Sequence, residues 1–200
     1  MCKKLQIKGG KKMRYMGDTN WWDERFKVRD LKRMAHEKCL EEDISHLVQG
    51  GNALDVACGD GRNAIYLAKL GYDVEAIDFS KEALRRLEYF AEKESLNIKT
   101  RLCDLSSKDI WCSLDKYDLI IVNHYRLSPE LCEGLIECLN RGGILWVNGF
   151  REVPKDHPHI TDADLLCEED FVNLRSAQLE SKQLYDKDER KFVKYIWRKS

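Results

Sequence analysis

The sequence predicts an α/β protein: a mostly parallel sheet covered by helices on both faces and closed by an antiparallel hairpin. Three observations predict it. Apolar runs alternate with amphipathic stretches from residue 53 to 150, the pattern of strand–helix–strand units around a buried parallel sheet. Within that region, ALDVACGDGRNAIYLAKLGYDVEAIDF (Ala53–Phe79) reads as strand, glycine turn, helix and second strand. Beyond Ser176 the pattern changes to two strands joined by a charged turn.

The elements follow in order. Residues 1–20 read as a disordered basic start carrying Lys3, Lys4, Lys8, Lys11, Lys12 and Arg14, and residues 21–200 as one domain. Apolar residues at Leu31, Met34, Ala35, Leu40, Ile44, Leu47 and Val48 predict one or two amphipathic helices over 28–48, ending before Gly50-Gly51. A strand at 53–57 leads to a helix at 61–70 that stops at Gly71, and a second strand follows at 73–77. Ser80 is placed to cap a helix through Glu94, with Ala83, Leu84, Leu87, Phe90 and Ala91 inward. A third strand is expected at 98–103 and a strongly apolar fourth at 117–123. Ser128-Pro129 opens a helix in the favoured cap-then-proline order. That helix is expected to end at Gly142-Gly143, before a fifth strand at 144–148. Pro154 and Pro158 mark 151–159 as loop, a short helix is expected near 168–174, and 177–185 and 191–198 form the closing hairpin.

Bulk properties bound the function. The chain has 200 residues and a formal net charge of −1, so it carries no global electrostatic footprint for nucleic acid. No apolar run approaches membrane-spanning length, and the start lacks the apolar core of a secretory signal. A soluble cytoplasmic protein is expected. The eight cysteines (Cys2, Cys39, Cys58, Cys103, Cys112, Cys132, Cys138 and Cys167) include no CxxC and sit mostly in apolar runs, as free thiols in a reducing compartment do. His157, His159 and Cys167 lack a second ligand pair, so they read as loop residues and no metal site is expected.

The chemistry concentrates at the first turn. Gly59 and Gly61 leave no side chain between the strand and the helix that Arg62 and Asn63 open, so free backbone N–H groups face a ligand. Asp78, nineteen residues after Gly59 and followed by Phe79, is placed to accept two hydrogen bonds from a ribose diol. These features predict a pocket for an adenosine-containing cofactor. Gly59-x-Gly61-x-x-Ala64 also satisfies the degenerate dinucleotide fingerprint, so the turn alone leaves an NAD-dependent oxidoreductase open. Asp55 weighs between the two readings: a buried carboxylate four residues before Gly59 needs a partner, which a ligand ammonium or the backbone donors around it would supply, and a pyrophosphate is unhelpful to it. Asp104, beside Leu105, offers an acceptor for an adenine amine, and Asn123 ends the fourth strand beside the cleft.

Together LDVACGDG, VEAIDFS, RLCDL and YDLIIVNH resemble the motif set of class I S-adenosylmethionine-dependent methyltransferases, over about Trp21 to Ser200. The resemblance implies a Rossmann-like three-layer sandwich, with a seven-stranded sheet completed by the hairpin. It implies S-adenosylmethionine across the carboxyl ends of the strands, with Gly59 and Gly61 near its methionine and ribose. Asp78 would then hold the ribose hydroxyls, Asp104 would lie near the adenine amine, and Cys58 and Asn123 would offer backbone groups to the amino acid part. CGDGRNAIYLAKLGYDVEAID is similar to tellurite-resistance methyltransferases. WWDERF resembles a segment covering the cofactor in that group and in thiopurine methyltransferases, implying that Trp22 packs on the cofactor and Arg25 faces its carboxylate. An aromatic anchor for the first helix is the alternative for that segment. HYRLSPELCEGLIECLNRGGILWVNGF departs from the tellurite group.

The expected function is methyl transfer to a small-molecule acceptor such as a thiol, metalloid or carboxylate. A non-catalytic S-adenosylmethionine-binding module is the alternative. His124, next to Asn123 and titrating near neutrality, is the candidate base. Tyr125 and Arg126 are candidates to shape the acceptor pocket, with Asn148, Phe150 and Arg151 as weaker ones. No NPPY-like tetrapeptide follows the fourth strand, and no membrane or nucleic-acid partner is indicated.

Overall fold

The computed structural model describes residues 19–105, 113–126, 128–157 and 159–200. The expectation of a disordered basic start lies outside them up to residue 18, while Thr19 and Asn20 form the first turn of α1 (Thr19–Val28). The other helices are α2 (Lys38–Asp43), α3 (Arg62–Lys69), α4 (Lys81–Lys93) and α5 (Pro129–Glu137). The strands are β1 (Asn52–Val56), β2 (Asp73–Asp78), β3 (Ile98–Leu102), β4 (Tyr117–Asn123), β5 (Leu139–Phe150), β6 (Ala177–Lys187) and β7 (Arg190–Lys199). They form one sheet in the order β3-β2-β1-β4-β5-β7-β6. The first five run parallel, and the closing hairpin pairs antiparallel with β5 through β7. The predicted α/β architecture and its final hairpin are both present.

Side-chain alternation along the strands creates the three layers. Leu54, Val56, Ile120, Val122, Leu145 and Val147 face α5, where Leu131, Leu135 and Ile136 meet them. Ala53, Leu119, Ile121, Ile144 and Trp146 face the opposite way, onto Ala64, Ile65, Leu84, Leu87 and Phe90 of α3 and α4. Helix ends follow local chemistry. Ser80 Oγ accepts from Ala83 N at 3.1 Å and starts α4. Gly71 adopts φ +90 and ends α3, with Gly71 N bonded to Ala68 O and Tyr72 N to Leu67 O, the paired bonds that satisfy a helix's last carbonyls.

Two expectations are corrected. The one or two amphipathic helices expected over 28–48 are reduced to α2 and one 3₁₀ turn at Ile44–His46. After α1 the chain crosses 29–37 without regular structure and resumes helix only at α2. Leu31 and Met34 are 65% and 46% exposed, so their spacing marks no buried face. Arg86 on α4 instead holds this strap, donating to the carbonyls of Arg29 (3.1 Å) and Asp30 (2.8 Å). The helix from Pro129 also stops early, at Glu137. Strand pairing takes the next residues: Tyr117 N donates to Cys138 O at 2.9 Å, and Asn140 Nδ2 to Asp118 Oδ1 at 2.8 Å. Gly142 and Gly143 then fall in an irregular step between the Tyr117–Leu139 and Leu119–Ile144 pairings. The hairpin turn at Asp188 and Glu189 has φ of 51 and 61, the doubly left-handed form that matches strand twist. Among the described residues, no helix is long and apolar enough to cross a membrane.

Candidate active site

The site lies at the carboxyl ends of β1, β2 and β4, where a parallel sheet leaves a crevice. β1 runs into a sharp turn in which Ala57, Gly59 and Gly61 all have positive φ. Gly61 opens α3 at φ +79, and a Cβ there would strike the Leu87 side chain, so only glycine fits. Asp78, at the end of β2, ties the turn down. Its Oδ2 accepts from Gly59 N and its Oδ1 from Ser80 N, both at 2.8 Å.

A cavity of about 500 Å³ opens over this turn, within the size range of small-molecule and cofactor sites. Asp55, Cys58, Gly59, Arg62 and Asn63 line it from β1 and the start of α3, and Asp78 and Phe79 from the end of β2. Asn123, His124 and Tyr125 line it from the end of β4, and Trp22 and Arg25 from α1. Three predicted cofactor residues are not among its lining. Gly61 lies beneath it as the start of α3, Leu105 is 1% exposed in the core, and Asp104 is exposed just past β3. Arg126 is also elsewhere: its guanidinium donates to Asp170 Oδ1 at 3.0 Å from Nε and to Ala163 O at 3.3 Å. Asn148 is fully buried, bonded to Asn123 Oδ1 at 2.9 Å and to Tyr185 Oη at 2.8 Å. His157 and His159, read as plain loop residues, line the cavity together with Ile160.

The electrostatics distinguish the two strand-end carboxylates. Asp55 is 2% exposed, and its Oδ2 has no hydrogen-bond partner among the described residues. Burial pushes its carboxyl up to about 8, partly countered by the Ala64 backbone and by Arg62. Burial also lifts Asp78, to about 6, against the backbone donors of Ser80, Gly59 and Phe79. Cys58 is a neutral thiol, raised well above its ordinary value by burial and then by Asp78.

The WWDERF segment does line the cavity, whereas Asp60 and Glu37 carried no signal in the sequence. Phe26 stacks on Trp22 with ring centroids 5.7 Å apart, and the Arg25 guanidinium lies 5.1 Å from the Trp21 ring centre and 5.8 Å from that of Trp22. Asp60, inside the glycine turn, pairs with Arg29 at 3.2 Å and with Arg86 at 3.3 Å. Glu37, from the strap, is a buried carboxylate at the centre of a cluster of partly exposed partners. Its Oε2 meets Arg62 at 2.9 Å and His124 Nε2 at 3.1 Å, and its Oε1 meets Lys187 at 3.1 Å. Burial works against ionisation of Glu37, but His124, Arg62 and Lys187 outweigh it and hold the carboxyl well below its usual range. Nothing local to Glu37 reveals this, because its partners lie 25, 87 and 150 residues away.

Known proteins resemble this chain in sequence and in fold. A relative described as "Probable S-adenosyl-L-methionine-dependent methyltransferase TehB", from Haemophilus influenzae (strain 10810), is 34% identical over 108 residues. That match covers 50% of this chain and 36% of the relative, so the chain spans about a third of the relative's length. The crystal structure of TehB from Haemophilus influenzae superposes with a TM-score of 0.66 at 24% identity, covering 90% of this chain and 67% of that one. Magnesium protoporphyrin IX methyltransferase from Synechocystis PCC 6803, crystallised with S-adenosylmethionine, gives a TM-score of 0.66 at 14% identity and covers 91% and 95% of the two chains. The fold is therefore that of the class I S-adenosylmethionine-dependent methyltransferases, as the motifs implied. The family model of the tellurite resistance protein TehB matches residues 15–151, more than half of the chain, and the protein belongs to that family.

Proposed function

We propose that the protein is an S-adenosylmethionine-dependent methyltransferase acting on a small-molecule acceptor. The observation that carries this reading is Asp55. A buried carboxylate with an unpartnered oxygen lines the cavity beside a side-chain-free turn. An isolated buried charge is costly, and the ammonium of a bound amino acid moiety relieves that cost. A pyrophosphate would aggravate it. Asp78 keeps lone pairs for ribose hydroxyls beyond the two backbone donors it already accepts.

The bound cofactor supplies a methyl carbon on a sulfonium, already an excellent leaving group. The chain's own residues then have two tasks: aligning the acceptor and excluding water. Trp22 and Phe26 line the cavity from α1, and Phe150 and Phe192 line it from β5 and β7. Alignment of this kind contributes up to about 7–11 kcal/mol in well-oriented reactions.

Calorimetry with S-adenosylmethionine and with NAD tests the reading. Micromolar-range binding of the first and none of the second is expected. Release of S-adenosylhomocysteine in the presence of acceptors then separates an enzyme from a binding module. Binding of NAD alone would replace the proposal with an oxidoreductase.

A further inference from the structure

We propose that the exposed side of the strap and the basic segment before α1 form a docking surface for an anionic lipid bilayer. The inference stands apart from the methyltransferase reading and does not depend on it.

Charge is divided unevenly along the chain. Residues 1–38 hold twelve basic and five acidic residues, a net of +7, while the whole protein carries −1. Residues 39–200 therefore carry −8. Such an asymmetry points to a polyanionic partner for the basic part. Six of the twelve cations lie in residues 1–18, where Asp18 is the sole acid, and the other six lie between Arg25 and Lys38.

The strap adds an apolar component. In KVRDLKRM (Lys27–Met34), Val28, Leu31 and Met34 are interleaved with cations. They are 82%, 65% and 46% exposed, and Trp21 at the start of α1 is 38% exposed. The backbone that displays them is held down by Arg86, which donates to the carbonyls of Arg29 and Asp30. Lys32 is exposed. Lys27 meets Glu24 at 2.7 Å in an exposed pair, and a pair of that kind is worth little, so the ammonium is free to turn to another anion. Glu24 and Asp30 are the exposed acids of this stretch.

The occupant follows from the combination. A nucleic acid would use the cations and leave the aliphatic side chains in water. A bilayer with anionic headgroups uses both: its surface potential draws the cations, and the aliphatic side chains enter the boundary of the acyl region. One such signal gives marginal membrane binding, and two together give stable docking. Docking of this kind needs no spanning helix, and none is present among the described residues. It departs from the expectation of no membrane partner, which rested on overall net charge and on the lack of a spanning run. Met34 also lines the cavity, so docking brings the cavity's rim to the lipid surface.

The test sediments the full chain with vesicles of phosphatidylglycerol and phosphatidylcholine in equal parts, and with vesicles of phosphatidylcholine alone. The mixed vesicles should carry the protein down and the neutral ones should not, and binding should fade as salt is raised. Val28→Asp with Leu31→Asp should weaken binding by about tenfold or more. Its thermal melt should not move, because both side chains are exposed. Lys3→Gln, Lys4→Gln and Lys8→Gln together should weaken binding by about fivefold for each cation that meets the surface. If the first variant does not fold, the lysine variant and the salt dependence decide. No binding to the mixed vesicles, or equal binding to the neutral ones, overturns the proposal. Binding of duplex RNA in place of vesicles, unchanged in Val28→Asp with Leu31→Asp, would make the surface a nucleic-acid site. A dimer in sedimentation velocity that the same variant dissociates would make it an interface between copies. Protection of residues 28–34 from hydrogen exchange before vesicles are added would assign their cover to residues 1–18 of the same chain.

Discussion

The floor and the roof of the cavity are built by different means. The floor is local: β1, the glycine turn, α3 and β2 occupy one stretch, and its key bond, Gly59 to Asp78, spans nineteen residues. The roof is assembled from distant pieces. α1 and the strap lie over the turn through Arg86, 57 residues from Arg29, and Glu37 reaches His124 and Lys187 across 87 and 150 residues. A cofactor berth can thus be specified by one short segment. The side that would meet the acceptor depends on the whole fold being complete.

The strongest way to break this contrast is to detach the roof. Arg86→Ala removes a buried guanidinium that serves Asp60 and two strap carbonyls. It should cost about 3–5 kcal/mol in chemical denaturation, as for one partner lost from a buried pair, and weaken cofactor binding as well. Lost stability with unchanged affinity would show that the roof plays no part in the site. Gly61→Ala attacks the floor instead. Left-handed strain of about 1–2 kcal/mol adds to about 1–3 kcal/mol for displacing Leu87. A thermal melt that does not move would remove the turn from the argument.

Smaller effects sharpen the contrast. Asp78→Ala should weaken S-adenosylmethionine binding by about 1–3 kcal/mol, because ribose hydroxyls lose their acceptor; unchanged affinity would place the ribose elsewhere. Asp55 makes a linkage prediction. Its carboxyl is raised to about 8 in the free protein, so its contribution to stability is complete below its unfolded value and is lost as pH rises through about 8. An ammonium bound beside it favours the ionised form. At pH 7 the protein should therefore release close to one proton on binding cofactor, with affinity rising by up to about 1.4 kcal/mol per pH unit below 8. Calorimetry in buffers of different ionisation heat measures that proton, and Asp55→Asn should abolish it.

The same division sets what the sequence reveals. Strands with buried alternation, the Ser80 cap, the Gly71 stop and the hairpin each depend on neighbouring residues, and each was legible. Asp55, Cys58, Gly59, Arg62, Asn63, Asp78 and Phe79, picked out as cofactor candidates, do line one cavity, because glycines and carboxylates at fixed spacing fix the local turn. The strap at 29–37 was misread as helix because apolar spacing does not show that a buried arginine elsewhere ties its carbonyls. The early end of α5 was missed because pairing with Tyr117 and Asp118 outweighed two glycines that look like a helix stop. Glu37 was invisible for the reason that makes it interesting: every partner is remote.

The contact between Glu37 and Lys187 has a consequence for how the site comes into being. Its two partners lie 150 residues apart, so Glu37 leaves the ribosome well before Lys187. On the ribosome, the basin for the cofactor can close while the opposite wall is still unmade. A nascent chain stalled before β6 and β7 would hold a donor berth with no shelter from water, so competence for chemistry should arrive only once that hairpin is made.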